Sequence, residues 1–185
     1  MSRKIASNKN KADSEIEVME ESLQTGVEPE KLQEAQDQDN QEAIESEFGE
    51  ILLSGKGKKL SPKSNSHVYF EVAARKSDNQ LHIRLTGNDG GGLHSKEFIP
   101  LQTLFDILEQ QKEKSFKSSV FASAFKGGSS NNKSFMAAAM RSDAIGLITP
   151  APNSLFSHVL TSKFDERRDQ LLAFVDANTT TETTA

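Results

Sequence analysis

From His67 the chain alternates apolar and polar positions with a period of two. In HVYFEV, Val68, Phe70 and Val72 fall on one face while Tyr69 and Glu71 take the other. A polar turn, KSDNQ, leads to LHIRL, where Leu81, Ile83 and Leu85 share a face and His82 and Arg84 oppose them, so the two runs predict a β-hairpin. The glycine-rich TGNDGGG then permits left-handed backbone before LHSKEFIPL, which reads as a third strand of a small antiparallel sheet.

After Pro100 the period changes. Leu101, Leu104, Phe105 and Leu108 recur at helical spacing and predict an amphipathic helix. KSSVFASAF predicts a second, shorter helix, with Ser118 or Ser119 as N-cap and Val120, Phe121 and Phe125 buried, closed by KGG. The turn SSNN can cap a third, NKSFMAAAMRSD, which carries Phe135, Met136, Ala139 and Met140 along one side. IGLITPAPNSLFSHVLTS then has two β-prone segments around Pro150, Pro152 and Asn153, the pattern of a hairpin. Residues 164 to 178 read as a terminal helix, with residues 179 to 185 fraying beyond it.

Residues 1 to 62 carry too few apolar positions for a core and read as a disordered acidic tail followed by a basic linker, so their removal should leave a folded domain over residues 63 to 178. Within the tail, Ile44, Phe48, Ile51 and Leu52 lie on one face of a short helix that Gly55 would stop, a candidate partner-binding element. In GKGKKLSPK, Lys56, Lys58, Lys59 and Lys63 stand among Gly, Ser and Pro, a flexible linker suited to phosphate contacts.

Charge sharpens that division. The overall −5 conceals a net −9 over residues 1 to 50 and a net +6 over residues 51 to 170, so the ordered part is basic and suits a polyanion. The absence of Cys excludes a disulfide framework, a Cys-ligated zinc site and a thiol nucleophile. No run approaches the length of a membrane span and no apolar leader follows the basic N-terminus, so the expectation is a soluble, cytoplasmic protein with no membrane partner.

The order helix, helix, turn, helix, hairpin over residues 101 to 162 resembles the winged helix-turn-helix superfamily, and AAAMRSDAIGLI looks like its passage from recognition helix into the first wing strand. The expected fold class is therefore α+β: a small antiparallel β-sheet, a winged-helix-like three-helix unit with hairpin, and a C-terminal helix, behind a long N-terminal tail. The resemblance implies that the front of the third helix enters a DNA major groove. Asn131 and Asn132 would then read adenine edges, Lys133 would reach guanine or phosphate, and Ser129 and Ser130 would hold phosphate. Lys117, Lys126 and Arg141 would contact the backbone. The expected function is non-catalytic nucleic-acid binding, DNA favoured, as an accessory or regulatory protein of a bacterial type, without cofactor, metal or small-molecule substrate. The alternative is a protein-interaction module docking a larger complex.

Two rivals carry less weight. GGSSNNKS departs from the P-loop pattern where Asn132 replaces its second glycine. His82 and His94, approaching across the hairpin turn, could bind a metal with Asp89, and His158 lacks a nucleophile elbow beside it.

Overall fold

The computed structural model describes residues 46 to 179, with side chains as far as residue 175. Strands β1 (Phe48–Lys58), β2 (His67–Arg75), β3 (Leu81–Asn88) and β4 (Ile99–Pro100) form one antiparallel sheet in chain order. The alternation in the sequence sets its two faces. Val68, Phe70, Val72, Leu81, Ile83 and Leu85 are buried on the inner one, while Tyr69 is exposed on the outer. Opposed partners on the outer face reinforce the register, with Arg84 donating to Glu71 across the strands at 3.1 Å.

Strand β1 corrects the expected helix and the expected linker together. Phe48, Ile51 and Leu52 lie on a strand that pairs with β2 from Phe48 opposite Arg75 to Lys58 opposite His67, and Ile44 lies outside the described residues. Two glycines let the strand form here, because it places Gly55 and Gly57 on the inner face opposite Phe70 and Val68. A Cβ on Gly55 would run into the Phe70 ring, and one on Gly57 into the main chain at Ala138. The bareness of β1 thus lets the interior close against it. The boundary after residue 62 is corrected as well, since the contacts of the chain gather into a unit from Glu47 onwards.

The third expected strand shrinks to Ile99–Pro100. Gly90, Gly91 and Gly92 all have positive φ, and this run steers residues 93 to 97 off the sheet edge.

Helix α1 (Leu101–Glu109) follows the sequence spacing, with Leu101, Leu104, Phe105 and Leu108 at most 1% exposed. Strand β5 (Phe116–Lys117) comes next. KSSVFASAF then winds as a 3-10 helix (Ser118–Ala124) without a side-chain cap. Its three-residue repeat aligns Ser118, Phe121 and Ala124, so Phe121 is fully buried while Val120 and Phe125 are only partly so.

Helix α2 (Asn132–Met140) packs against β1, β2 and the 3-10 helix, and every residue from Phe135 to Met140 is buried. Apolar contact therefore surrounds it rather than lying along one side, because Ala137, Ala138 and Ala139 are small enough for neighbours to approach from each direction. Strands β6 (Ile148–Ala151) and β7 (Ser154–Leu160) form the expected hairpin, and β5 joins them in a second sheet of order β5-β7-β6. Helix α3 (Phe164–Thr179) opens with Asp165 and Glu166 against its dipole and buries Phe164 and Leu171. Its Arg167 donates to the carbonyls of Asp143, Ala144 and Ile145, fastening α3 to the turn that leaves α2.

The architecture is α+β: a four-stranded antiparallel sheet, then helices with a hairpin and a C-terminal helix. No helix among the described residues is long and apolar enough to cross a membrane.

Candidate nucleic-acid interface

The residues expected at the front of a recognition helix dock the segment that leaves the glycine loop. Ser129 Oγ and Asn131 Nδ2 both donate to the Leu93 carbonyl, at 2.6 and 3.0 Å. Asn132 is 1% exposed, and its Oδ1 accepts from the Ser95 amide at 2.9 Å while its Nδ2 donates to the Gly127 carbonyl at 3.2 Å. An amide engaged at both ends inside the protein has nothing left to read a base with. The Asn132 expectation is corrected on that ground, while Ser129 and Asn131 each donate one bond to the Leu93 carbonyl.

Glu97 completes the stitching. Its carboxylate accepts from the amides of Lys126 and Gly127, each at 3.1 Å, and from Ser95 Oγ at 2.6 Å. Burial pushes its pKa up, but the bonds from Ser95, Gly127 and Lys126 outweigh that and hold it below the usual carboxylate value. The amides at the entrance of the GGSSNNKS run are thus held by the protein's own anion, and VFASAF, a 3-10 helix, is not the strand that a P-loop follows.

Replacing Asn132 with Ala should strand the Ser95 amide and the Gly127 carbonyl and cost about 1–3 kcal/mol. Urea unfolding of the variant measures this as a lower midpoint at unchanged slope.

Arg141, expected on phosphate, is turned inward. Its Nε donates to His158 Nδ1 at 2.9 Å, and its Nη2 to the carbonyls of Leu155 and Ser157 at 3.0 and 2.9 Å. Those two carbonyls flank the irregular stretch of β7 where the register with β6 shifts, so Arg141 fixes the bulge to the end of α2. His158 is fully buried, and burial, followed by the charge of Arg141, pulls its pKa down to about 4. With Nδ1 accepting from Arg141, the ring proton sits on Nε2 and is donated to Ser118 Oγ at 2.9 Å. In that tautomer His158 cannot take a proton from Ser118, so the pair is not a nucleophile and its base.

Of the other expected contacts, Lys117, Lys126 and Ser130 are exposed and Lys133 is half-buried on α2. The body of α2, from Phe135 to Met140, is enclosed and presents no face to a groove.

The open outer face of the first sheet presents a different set. Tyr69 is 39% exposed, with Lys56 as its partner on β1 and Gly87 as its partner on β3. Lys58 stands opposite His67 one step along, and neither Lys56 nor Lys58 has an ion-pair partner among the described residues. Tyr69 is held in place: its hydroxyl donates to Asp89 Oδ1 at 2.8 Å, while Asp89 Oδ2 accepts from the His67 amide at 2.9 Å. That amide, then the Tyr69 hydroxyl, lowers the Asp89 pKa, and the same bond raises that of Tyr69, so the phenol stays neutral.

Farther along the face, Phe48 stacks on Phe98 at 3.7 Å and meets His82 edge-on at 5.0 Å, with the Arg84 guanidinium 4.8 Å from Phe98. This cluster closes one half of the face and leaves Tyr69 on the open half. Lys59 differs from its neighbours. Its Nζ donates to Asn88 Oδ1, the Asp89 carbonyl and the Gly91 carbonyl at 2.7, 2.5 and 3.2 Å, and so pins the glycine loop.

The proposed metal triad is not assembled: His82 packs against Phe48, His94 lies near Phe135, and Asp89 is bound to His67 and Tyr69. No group of three potential ligands occurs among the described residues. Sequence reasoning took Lys56 and Lys58 for linker and passed over Tyr69. The signal for them was the alternation Ser54-Gly55-Lys56-Gly57-Lys58, which places Ser54, Lys56 and Lys58 on one side of an extended strand. Comparison of the chain with protein-family models, with curated proteins and with solved structures finds no match.

Proposed function

We propose that this domain binds nucleic acid without catalysing a reaction, as an accessory or regulatory protein, and that the contact face is the open half of the first sheet rather than α2. The observation that carries this reading is the placement of exposed Lys56 and Lys58 beside exposed Tyr69 on rigid paired strands. The net +6 over residues 51 to 170 supports it, since a polyanion gains from counterion release at such a face.

The test is a salt titration of binding to labelled nucleic acid. Charge reversal of Lys56 and Lys58 together should weaken binding to all sequences alike and reduce the slope of log K against log salt by about one to two. An unchanged slope removes this face from the reading.

A second reading, protein docking, rests on the β6–β7 hairpin, where Leu155 and Phe156 are 56% and 60% exposed on the bulge that Arg141 holds. Salt-insensitive capture of a protein, lost on replacing Phe156 with Ser, would favour it.

A further inference from the structure

We infer that the nucleic acid this face takes is single-stranded, with a base stacked on Tyr69 and adjacent phosphates on Lys56 and Lys58. This rests on the nucleic-acid reading above and deepens it.

Three observations lead there. First, the element of a size to enter a duplex groove is unavailable. A major groove about 12 Å wide admits a helix or a two-stranded ribbon. Helix α2 is buried from Phe135 to Met140, and the face that is open belongs to a four-stranded sheet with neighbouring strands about 4.8 Å apart. Second, Tyr69 offers an aromatic ring that is fixed but not covered. The hydroxyl bond to Asp89 anchors its far end, and Gly87 across the strand places no side chain beside it. A ring already ordered loses little entropy when a base settles on it, and a base reaches it only when unpaired from a second strand. Third, Lys56 and Lys58 lie two positions apart on the same side of β1, about 7 Å along the strand, with Lys56 directly across from Tyr69. One stacking ring flanked by paired cations is the composition of a single-strand platform.

The acidic groups on this face are already engaged: Glu71 by Arg84, and Asp89 by His67 and Tyr69. Arg84 offsets the charge of Glu71, whereas Asp89 stays anionic at the hydroxyl end of Tyr69, so the phosphates belong on the Lys56 and Lys58 side of the ring. The chemistry shared by single-stranded DNA and RNA, a stacked base and a phosphodiester, is what the face recognises.

The chain offers its own reporter, because Tyr69 is its single Tyr and it has no Trp. The full chain is titrated with oligo(dT), with oligo(U) and with a duplex of the same length, following both anisotropy of a labelled strand and intrinsic tyrosine emission. Single strands should quench Tyr69 emission with the same midpoint as the anisotropy change and bind at least about tenfold more tightly than the duplex; the two single-stranded arms say which polymer is preferred. Tyr69→Ala should weaken single-strand binding roughly ten- to hundredfold, while Tyr69→Phe, which keeps the ring, should restore most of it. Single strands that bind with unaltered tyrosine emission, a duplex bound as tightly, or a Phe variant as weak as the Ala variant would overturn the stacking inference and leave the nucleic-acid reading standing. Failure of all three polymers to bind would overturn both.

Discussion

A chain that starts at residue 63 is expected to lose its cooperative thermal transition, whereas one that starts at residue 46 is expected to keep it. The difference between them is β1. It covers the edge of β2 from Arg75 to His67, and its inner glycines close on Phe70 and on the main chain of α2. Without it the flank of Val68, Phe70 and Ala138, each at most 1% exposed, opens to water. Full exposure of one large apolar side chain costs about 1.5–3 kcal/mol, and the whole stability of such a domain is about 5–15 kcal/mol. Removing the strand also takes Phe48 from the cluster with Phe98 and His82. Circular dichroism melts of the two truncations decide the point, and a sharp transition in the shorter one would contradict it.

Acidification should weaken the fold through His158. Its folded pKa of about 4 lies below the ordinary imidazole value of 6.5, so the unfolded chain takes up a proton where the native state does not. Stability attributable to this group is complete above about pH 6.5, falls as the pH drops from there, and is lost once the pH passes below about 4, a total of about 3 kcal/mol. The physical cause is that an imidazolium at this position would be buried against the Arg141 guanidinium. His82, also buried and depressed by burial, contributes in the same direction. A His158→Gln variant keeps one acceptor and one donor and cannot titrate, so the two proteins' urea midpoints should converge as the pH falls from 7 towards 4.5. Parallel loss of stability in both would assign the acid sensitivity to the carboxylates and not to His158.

How far the sequence could be read depended on whether its signals were local. The alternation through Val68, Phe70 and Val72, and the spacing of Leu101, Leu104, Phe105 and Leu108, each record burial on one side of one element, and both elements are present. Strand β1 was hidden because its inner face is marked by two glycines, which resemble a linker until a partner lies against them. The enclosure of α2 was hidden because three successive alanines show no preferred side. The roles of Asn131 and Asn132 depend on Leu93 and Ser95, distant in the chain, and local pattern does not distinguish an asparagine that reads a base from one that holds a loop.

The stack of Phe48 on Phe98 has a consequence for how the chain comes together during synthesis. The ring at the head of the first strand finds its partner only beside the last, after both intervening strands and the glycine loop have been made. The strands pair in chain order and each hairpin forms locally, but this closing contact carries the loop entropy of everything between. Until residue 98 has cleared the ribosome, Phe48 has no ring to lie on, and the nascent segment bears an apolar side chain beside an open strand edge. That interval is when the chain has most to gain from a chaperone's shelter.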